Sequence, residues 1–347
     1  MPDIQLRFHK DMLVLSSPIA AALARDGLDV ARDLEFTLLF EPEVIEEAYQ
    51  LESIAGAQCL VAPTEGVTPA RLAQVGMDGR GEELVSAGMA VVRRFKPQHL
   101  LAAIGPCGLP LDASSGPSMK ENRDQYARAA RLFEGQELDG FLLDGFASCA
   151  DLKCALAGLR KVTDASILAS VEVGADGLLA DGRTTLEEAC AAMADLEASV
   201  AGFATAAPLD EACELARRAS DACDLPLMAS LVVRERTSRQ QGPTAENPYY
   251  CPDTMVSAAT ALRAAGAQFL RAVGDATPAY AGALAATVAG LDAPDADDED
   301  AGDPAARDEA LDEFAATLRS RVAAALDGYA AEAEAAAAAL DPEERPE

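Results

Sequence analysis

The chain has 347 residues and is strongly acidic, with 58 Asp and Glu against 28 Lys and Arg and a formal net charge of −30. A surface of this charge repels phosphate backbones and anionic lipid, which argues against binding to nucleic acid or to a membrane surface. No apolar run reaches the roughly 20 residues that span a bilayer, and the amino terminus lacks the pattern of a secretory signal. We therefore expect a cytoplasmic protein whose eight scattered cysteines are reduced.

Short apolar runs alternate with longer amphipathic segments along the chain. Helical periodicity predicts helices in the longer segments, and Pro42 fits the first turn of one of them. Thr184 followed by Glu187 predicts a capping box at the start of another. The apolar runs predict eight strands, at residues 12–15, 58–62, 100–104, 140–143, 167–171, 200–204, 227–233 and 268–273. Clear examples of the predicted helices lie at residues 42–55, 120–133, 151–162 and 185–196.

Eight strand–helix repeats in about 290 residues predict an α/β fold, a (β/α)8 TIM barrel. The alternative is an open, doubly wound sheet with a second domain. This alternative is less favoured because no glycine-rich phosphate loop opens the first helix and no linker divides the chain before Gly290. We expect the barrel to cover residues 1–290, with its active site on the loops that follow the strands.

Residues 291–304 and 305–347 differ in character from the barrel. The first stretch is a block of acidic residues with few apolar groups to bury, which predicts a flexible linker. The second is rich in alanine and glutamate and carries an apolar stripe at helical spacing, which predicts a C-terminal helix and tail. The stripe is consistent with packing on the barrel, with fraying in solvent, or with docking to a partner or a second copy.

Four segments carry a family resemblance. Residues 103–108 read Ala-Ile-Gly-Pro-Cys-Gly, and residues 142–155 begin with Leu-Leu-Asp-Gly-Phe-Ala-Ser-Cys. Together with residues 62–72 and 266–278, in this order, they resemble the homocysteine S-methyltransferase family, the barrel module also found in cobalamin-dependent methionine synthase. The resemblance implies a TIM barrel in methionine metabolism that transfers a methyl group to a thiol. It also suggests a corrinoid or pterin-dependent methyl-transfer protein as a partner.

The resemblance further implies a zinc ion held by three cysteines, one after strand six and two after strand eight, that activates the acceptor thiol. This chain has Thr205, Val273 and Gly274 at those positions. Neither valine nor glycine has a side chain that binds zinc, and a hydroxyl is a poor substitute for a soft thiolate. We therefore predict that the family's zinc site is absent, with a relocated site at Cys107 and Cys251 as a weak alternative.

Several charged side chains follow the predicted strands and are candidates for chemistry. The candidate catalytic residues are the carboxylates Glu65, Asp144, Glu172 and Asp275. Such oxygens suit a hard cation such as magnesium, or they can serve as general bases. The competing interpretation is that acidic side chains are common throughout so acidic a chain.

Thr205, Arg234 and Arg271 are candidates for substrate binding. A guanidinium group binds a carboxylate in a bidentate manner, although an ion pair between Arg271 and an acid such as Glu235 is the simpler expectation. Residues 249–253, Tyr-Tyr-Cys-Pro-Asp, predict either a lid over the barrel mouth or an anchored loop.

Three functional interpretations follow. The chain is a methyltransferase that activates its acceptor in another way, or a non-catalytic descendant that binds a small molecule or a corrinoid or other methyl-transfer partner. The third possibility, an unrelated barrel enzyme such as a lyase or aldolase, is the least favoured. No lysine is predicted at a strand end, and His9 and His99 both precede their strands. The sequence does not choose between the first two.

Overall fold

The computed structural model describes residues 4–237 and 239–293. Its strands are β1 (Leu13–Val14), β2 (Cys59–Ala62), β3 (His99–Ile104), β4 (Gly140–Phe146), β5 (Ser166–Glu172), β6 (Val200–Thr205), β7 (Leu227–Val233) and β8 (Ala267–Gly274). Its α-helices are α1 (Ala20–Arg25), α2 (Val30–Phe40), α3 (Pro42–Ala55), α4 (Pro69–Gln74), α5 (Gly81–Arg93), α6 (Gly116–Arg131), α7 (Cys149–Leu159), α8 (Leu186–Asp195), α9 (Leu209–Ala222), α10 (Thr254–Ala264) and α11 (Pro278–Val288). A short 3₁₀ helix, Ile4–Arg7, precedes them.

The strands form one parallel sheet in the order β1-β8-β7-β6-β5-β4-β3-β2. β1 pairs with β8, and a single bridge between Leu15 and Cys59 joins β1 to β2, so the sheet nearly closes on itself. The predicted (β/α)8 TIM barrel is confirmed. Within the described residues, no helix is both long enough and apolar enough to cross a bilayer.

Side chains alternate between the inside and the outside of the barrel, because successive residues of a strand point to opposite faces. The interior holds one apolar cluster, which includes Leu13, Val61, Leu142, Leu168 and Phe269. The other face of the strands packs against the helices in a second, larger cluster. This alternation fixes which residues near the strand ends face the barrel axis.

The start of α8 differs from the sequence prediction by one residue. The capping box joins Thr185 and Glu188, whose side chains each accept a hydrogen bond from the other's backbone N–H. Thr184 instead donates its hydroxyl to Asp181 at 2.6 Å, and Glu187 pairs with Arg218. Sequence spacing alone fits both pairs, and the Asp181 turn selects between them. The predicted first-turn position of Pro42 in α3 is confirmed.

Residues 291–293 belong to the barrel rather than to the predicted linker. The backbone N–H of Met12 donates to Leu291, and that of Ala293 donates to Lys10. Arg263 donates to the carbonyl of Asp292 at 2.8 Å. The rest of the predicted linker, residues 294–304, and the predicted helix at residues 305–347 lie outside the described residues.

Candidate functional site at the barrel mouth

Arg271 lies at the centre of the mouth, the end of the barrel where the parallel strands finish. It faces the barrel axis because it follows the interior residue Phe269 by two positions on β8. Its side chain is only 2% exposed. Nε donates to the carbonyl of Ser16 at 2.9 Å, and Nη1 donates to Oδ2 of Asp144 at 2.5 Å. The guanidinium therefore joins β8 to the segment that follows β1 and, across the barrel, to β4.

The partner of Arg271 corrects the sequence expectation. The sequence expectation is an ion pair between Arg271 and a nearby acid such as Glu235. Glu235 is exposed, and its backbone N–H donates to Asp275. Asp144 takes its place because β4 and β8 lie opposite each other, and both residues face inward on their strands.

Glu65, which follows β2, is a second acidic group beside Arg271. It is partly buried, and its backbone carbonyl accepts a hydrogen bond from Gly105 at 3.0 Å. Burial raises the pKa of Glu65, and the nearby Asp144 raises it further, while the charge of Arg271 acts in the opposite direction. Glu65 is thus a carboxylate with an increased affinity for a proton, as a general base near neutral pH requires.

Glu52 on α3 is a site residue that the sequence interpretation missed. It is 2% exposed, and its Oε2 accepts a hydrogen bond from the backbone N–H of Ser17 at 3.0 Å. Burial raises the pKa of Glu52 to about 7, although the Ser17 hydrogen bond and Arg271 both act to lower it. The signal was present in the sequence, because Glu52 continues the buried helical stripe that includes Ile45 and Tyr49.

The remaining predicted residues lie at the rim or next to it. Glu172 and Arg234 are exposed. Asp275 is also exposed, and its Oδ2 accepts a hydrogen bond from the backbone of Glu235 at 2.9 Å. Nowhere in residues 4–237 and 239–293 do three His, Cys, Asp or Glu side chains gather as a metal site. The four predicted carboxylates therefore do not form the oxygen-ligand cluster considered above.

The loop at residues 249–253 is anchored by its first residue, Tyr249. Tyr249 is 2% exposed, and its hydroxyl donates to the carbonyl of Ala207 at 2.9 Å. This contact ties the loop to the end of β6 and favours the anchored-loop interpretation over the lid.

A family comparison agrees with this architecture. The model of the family described as homocysteine S-methyltransferase matches residues 14–288. The chain belongs to the homocysteine S-methyltransferase family. Two similar solved structures are forms of the homocysteine methyltransferase MmuM from Escherichia coli. The metallated form superposes with a TM-score of 0.64 at 19% identity, over 79% of this chain and 95% of that chain.

The oxidised form of MmuM gives a TM-score of 0.65 at 19% identity, over 80% of this chain and 96% of that chain. At this identity the two structures show a shared fold. A search of curated proteins found no significant match.

The residues at the family's three zinc-ligand positions do not fit zinc. Thr205 is 1% exposed, and its hydroxyl oxygen already accepts a hydrogen bond from the backbone of Ala207. Val273 offers only methyl groups. Gly274 has a φ of +73°, and a Cβ placed there would lie 2.5 Å from the carbonyl oxygen of Val233. The backbone at this position excludes any cysteine without rearrangement.

The two cysteines considered for a relocated zinc site have other roles. Cys107 is fully buried, and its thiol donates to Oδ1 of Asn122 at 3.1 Å. Cys251 lies in the turn before α10, where its carbonyl accepts a hydrogen bond from the hydroxyl of Thr254. Neither belongs to a group of three potential ligands among the described residues.

Proposed function

We propose that this family member transfers a methyl group to a thiol or a related small acceptor bound at the barrel mouth, without a three-cysteine zinc site. The observation that carries the proposal is that the mouth lacks the family's zinc ligands and holds other charged groups. Thr205, Val273 and Gly274 provide no zinc ligand set, whereas Arg271 and Glu65 provide a buried cation and a carboxylate with a raised pKa.

Glu65 is the group best suited to activate the acceptor. A thiol with a pKa near about 8.5 must lose its proton to become a strong nucleophile. In this step Glu65 accepts the thiol proton, the sulfur lone pair forms a bond to the methyl carbon, and the donor's leaving group departs with the electrons of the broken bond. Asp144 serves a different purpose, because its carboxylate neutralises Arg271.

A non-catalytic descendant is the second candidate. It is favoured by the lack of a potential metal-ligand group within the described residues and by the exposed positions of Glu172 and Asp275. Such a protein would bind the small molecule, or a corrinoid or pterin-dependent methyl-transfer partner, without transferring the methyl group itself.

Methyl transfer to homocysteine in the presence of a chelator tests the proposal. The full chain is incubated with homocysteine and methyl donors of two classes, methylcobalamin and a methylsulfonium compound, and methionine is measured by mass spectrometry. We expect product that survives the chelator and falls about 100-fold in Glu65→Gln. Glu47→Gln, an exposed change on α3, is the matched control.

Three results would contradict this account. Activity lost on chelation would indicate a metal mechanism, and equal activity in Glu65→Gln would remove the proposed base. Binding of homocysteine without product from either donor would favour the non-catalytic descendant.

A further inference from the structure

Two cysteines meet between neighbouring helices on the outside of the barrel. Cys190 lies on α8, Cys223 is the residue at which α9 ends, and the two helices pack against each other. Cys190 is fully buried, whereas Cys223 is partly exposed. Their side chains form a hydrogen bond with each other. Cys223 comes shortly before β7, so it lies at the end of the barrel where the strands begin, away from the mouth.

The surroundings of Cys223 favour its thiolate. The thiol of Cys190 donates a hydrogen bond to the sulfur of Cys223, and the backbone N–H of Leu225 donates another. The Cys190 contact is the largest cause that lowers the pKa of Cys223 to about 7, although partial burial and the charge of Asp224 act in the opposite direction. A large share of Cys223 is therefore thiolate at neutral pH, and the thiolate is the nucleophilic form of cysteine. In its protonated form, Cys223 also donates to the carbonyl of Ala219 at the long distance of 3.9 Å.

Other cysteines of the chain have surroundings that favour the neutral thiol. The pKa of Cys190 is raised because its thiol is the donor to Cys223 and because it is buried, with the charge of Glu187 acting in the same direction. Burial is the main cause of a raised thiol pKa at Cys59, Cys107, Cys149, Cys154 and Cys213. A thiol with a raised pKa stays protonated at neutral pH and reacts slowly.

We propose that Cys223 and Cys190 form a site of reversible oxidation by hydroperoxides, with Cys223 as the attacking thiol and Cys190 as the resolving thiol. A hydroperoxide reaches Cys223 because this side chain is partly exposed, while burial shields Cys190 from direct attack. Redox-active cysteines in proteins have this combination of an accessible thiolate and a second thiol in contact with it. The site goes beyond the proposed methyl transfer and does not depend on it.

The oxidation proceeds in two steps, written here for hydrogen peroxide. The Cys223 thiolate attacks one peroxide oxygen, the O–O bond breaks, and the other oxygen leaves as hydroxide and takes the proton of Cys190 to give water. The Cys190 thiolate then attacks the sulfur of the Cys223 sulfenic acid, the S–O bond breaks, and hydroxide leaves. The two sulfurs lose two electrons in total, and these reduce the peroxide. Because the two thiols are already in contact, little movement of the helices is needed to reach the S–S bond length of about 2.05 Å.

Peptide mapping after limited oxidation tests the pairing. The reduced full chain is treated with a small excess of hydrogen peroxide at neutral pH, and the remaining thiols are blocked with N-ethylmaleimide. Trypsin leaves Cys190 and Cys213 on one peptide, residues 184–217, so a second protease that cuts before Asp210 is used to separate them. We expect a linkage between Cys190 and Cys223 that dithiothreitol removes, with the other cysteines blocked as free thiols.

Three variants assign the roles of the two thiols. Cys223→Ser should form no linkage, because the attacking thiolate is lost. Cys190→Ala should leave Cys223 as a sulfenic acid that dimedone traps, because the resolving thiol is missing. Cys213→Ser, on α9 itself, is the matched control and should form the linkage as wild type does.

The pH dependence of alkylation tests the hydrogen bond without any oxidant. In wild type, the rate at which iodoacetamide modifies Cys223 should rise with a midpoint at about pH 7. In Cys190→Ala the midpoint should move up toward about pH 8.5, the ordinary value for cysteine. An unchanged midpoint would overturn the inference, because Cys190 would then not stabilise the thiolate. Oxidation spread over the other cysteines, without a linkage between Cys190 and Cys223, would also overturn it.

Discussion

The two ends of the barrel interior are built in different ways. At the amino-terminal end, Ile4 is fully buried, and the ring of Phe8 packs edge-on against Phe269 at 5.9 Å. The side chain of Gln268 there hydrogen-bonds to the backbone of Arg7, His9 and Asp11, in the segment before β1. At the mouth, by contrast, Nη2 of Arg271 makes no hydrogen bond to the described chain. The buried hydroxyls of Ser170 and Ser230 also have no partner among the described residues.

The two ends differ in how far their polar groups are satisfied within the protein. The closed end buries apolar surface. Its buried His99 has no hydrogen-bond partner in the described chain, but Nδ1 of its ring lies 3.6 Å from Oδ1 of Asp139. The mouth holds buried charged and polar groups whose hydrogen-bonding capacity the described chain does not use fully. Changes at the closed end should therefore affect folding alone, whereas changes at the mouth should affect binding and, where they disturb its buried charges, stability as well.

Phe269→Ala should give the largest loss of stability. The change removes a fully buried ring from the interior cluster and leaves a cavity, which costs about 3 to 5 kcal/mol. Urea denaturation measures the loss. A loss below about 1 kcal/mol would show that the closed end is not packed as described.

Asp144→Asn should be nearly as damaging, because it leaves the buried charge of Arg271 without its partner. A loss of about 3 kcal/mol is expected. Replacing both residues, in Asp144→Leu with Arg271→Met, should recover most of that stability, since an ion pair at such a position is often replaceable by apolar side chains. If the double variant were less stable than Asp144→Asn, the charge explanation would be wrong.

Glu52→Gln should change the pH dependence of stability. The pKa of Glu52 is raised from 4.5 to about 7 in the folded protein, so the folded state binds this proton more tightly than the unfolded chain does. Its contribution is therefore fully present below about pH 4.5 and is lost as pH rises to about 7, on the order of 3 kcal/mol in total. The glutamine side chain of Glu52→Gln cannot ionise, so the free energy of unfolding of this variant should not fall in the same way as pH rises.

Urea denaturation between pH 4.5 and 8 measures the difference between wild type and Glu52→Gln. The variant should gain stability relative to wild type as pH rises. Glu47→Gln, on the exposed side of the same helix, should follow the wild type. If the free energy of unfolding changed with pH in the same way in wild type and Glu52→Gln, a raised pKa at this position would be ruled out.

Arg218→Gln should have the smallest effect. Arg218 also pairs with a carboxylate, Glu187, but the two side chains are 30% and 37% exposed. Solvent screens such a pair, so a loss below about 1 kcal/mol is expected in chemical denaturation. A loss equal to that of Asp144→Asn would remove the distinction between the buried pair at the mouth and a surface pair.

The fold could be predicted from the sequence because its signals are local. Each of the eight apolar runs corresponds to a strand, and Pro42 marks the start of α3. β1 is shorter than the predicted residues 12–15 because only Leu13 and Val14 pair continuously with β8. The family resemblance likewise rested on segments in order along the chain, and the family match confirms it.

The site was harder to predict because its contacts cross the barrel. Arg271 and Asp144 are separated by 127 residues and meet only because β4 and β8 lie opposite each other. Ser170 and Ser230 do not stand out in the sequence, and their place inside the barrel follows only from the interior positions of Leu168 and Met228 two residues earlier. Glu52 was detectable as an acid on a buried helical stripe, but its proximity to Ser17 was not.

Metal content tests the central claim most directly. The full chain, purified under reducing conditions without chelator, is analysed by mass spectrometry with and without homocysteine. The account predicts no stoichiometric zinc in either sample, because Thr205, Val273 and Gly274 supply no thiolate. One zinc ion per chain, retained with homocysteine present, would contradict it and would show that cysteines from elsewhere in the chain restore the family's metal chemistry.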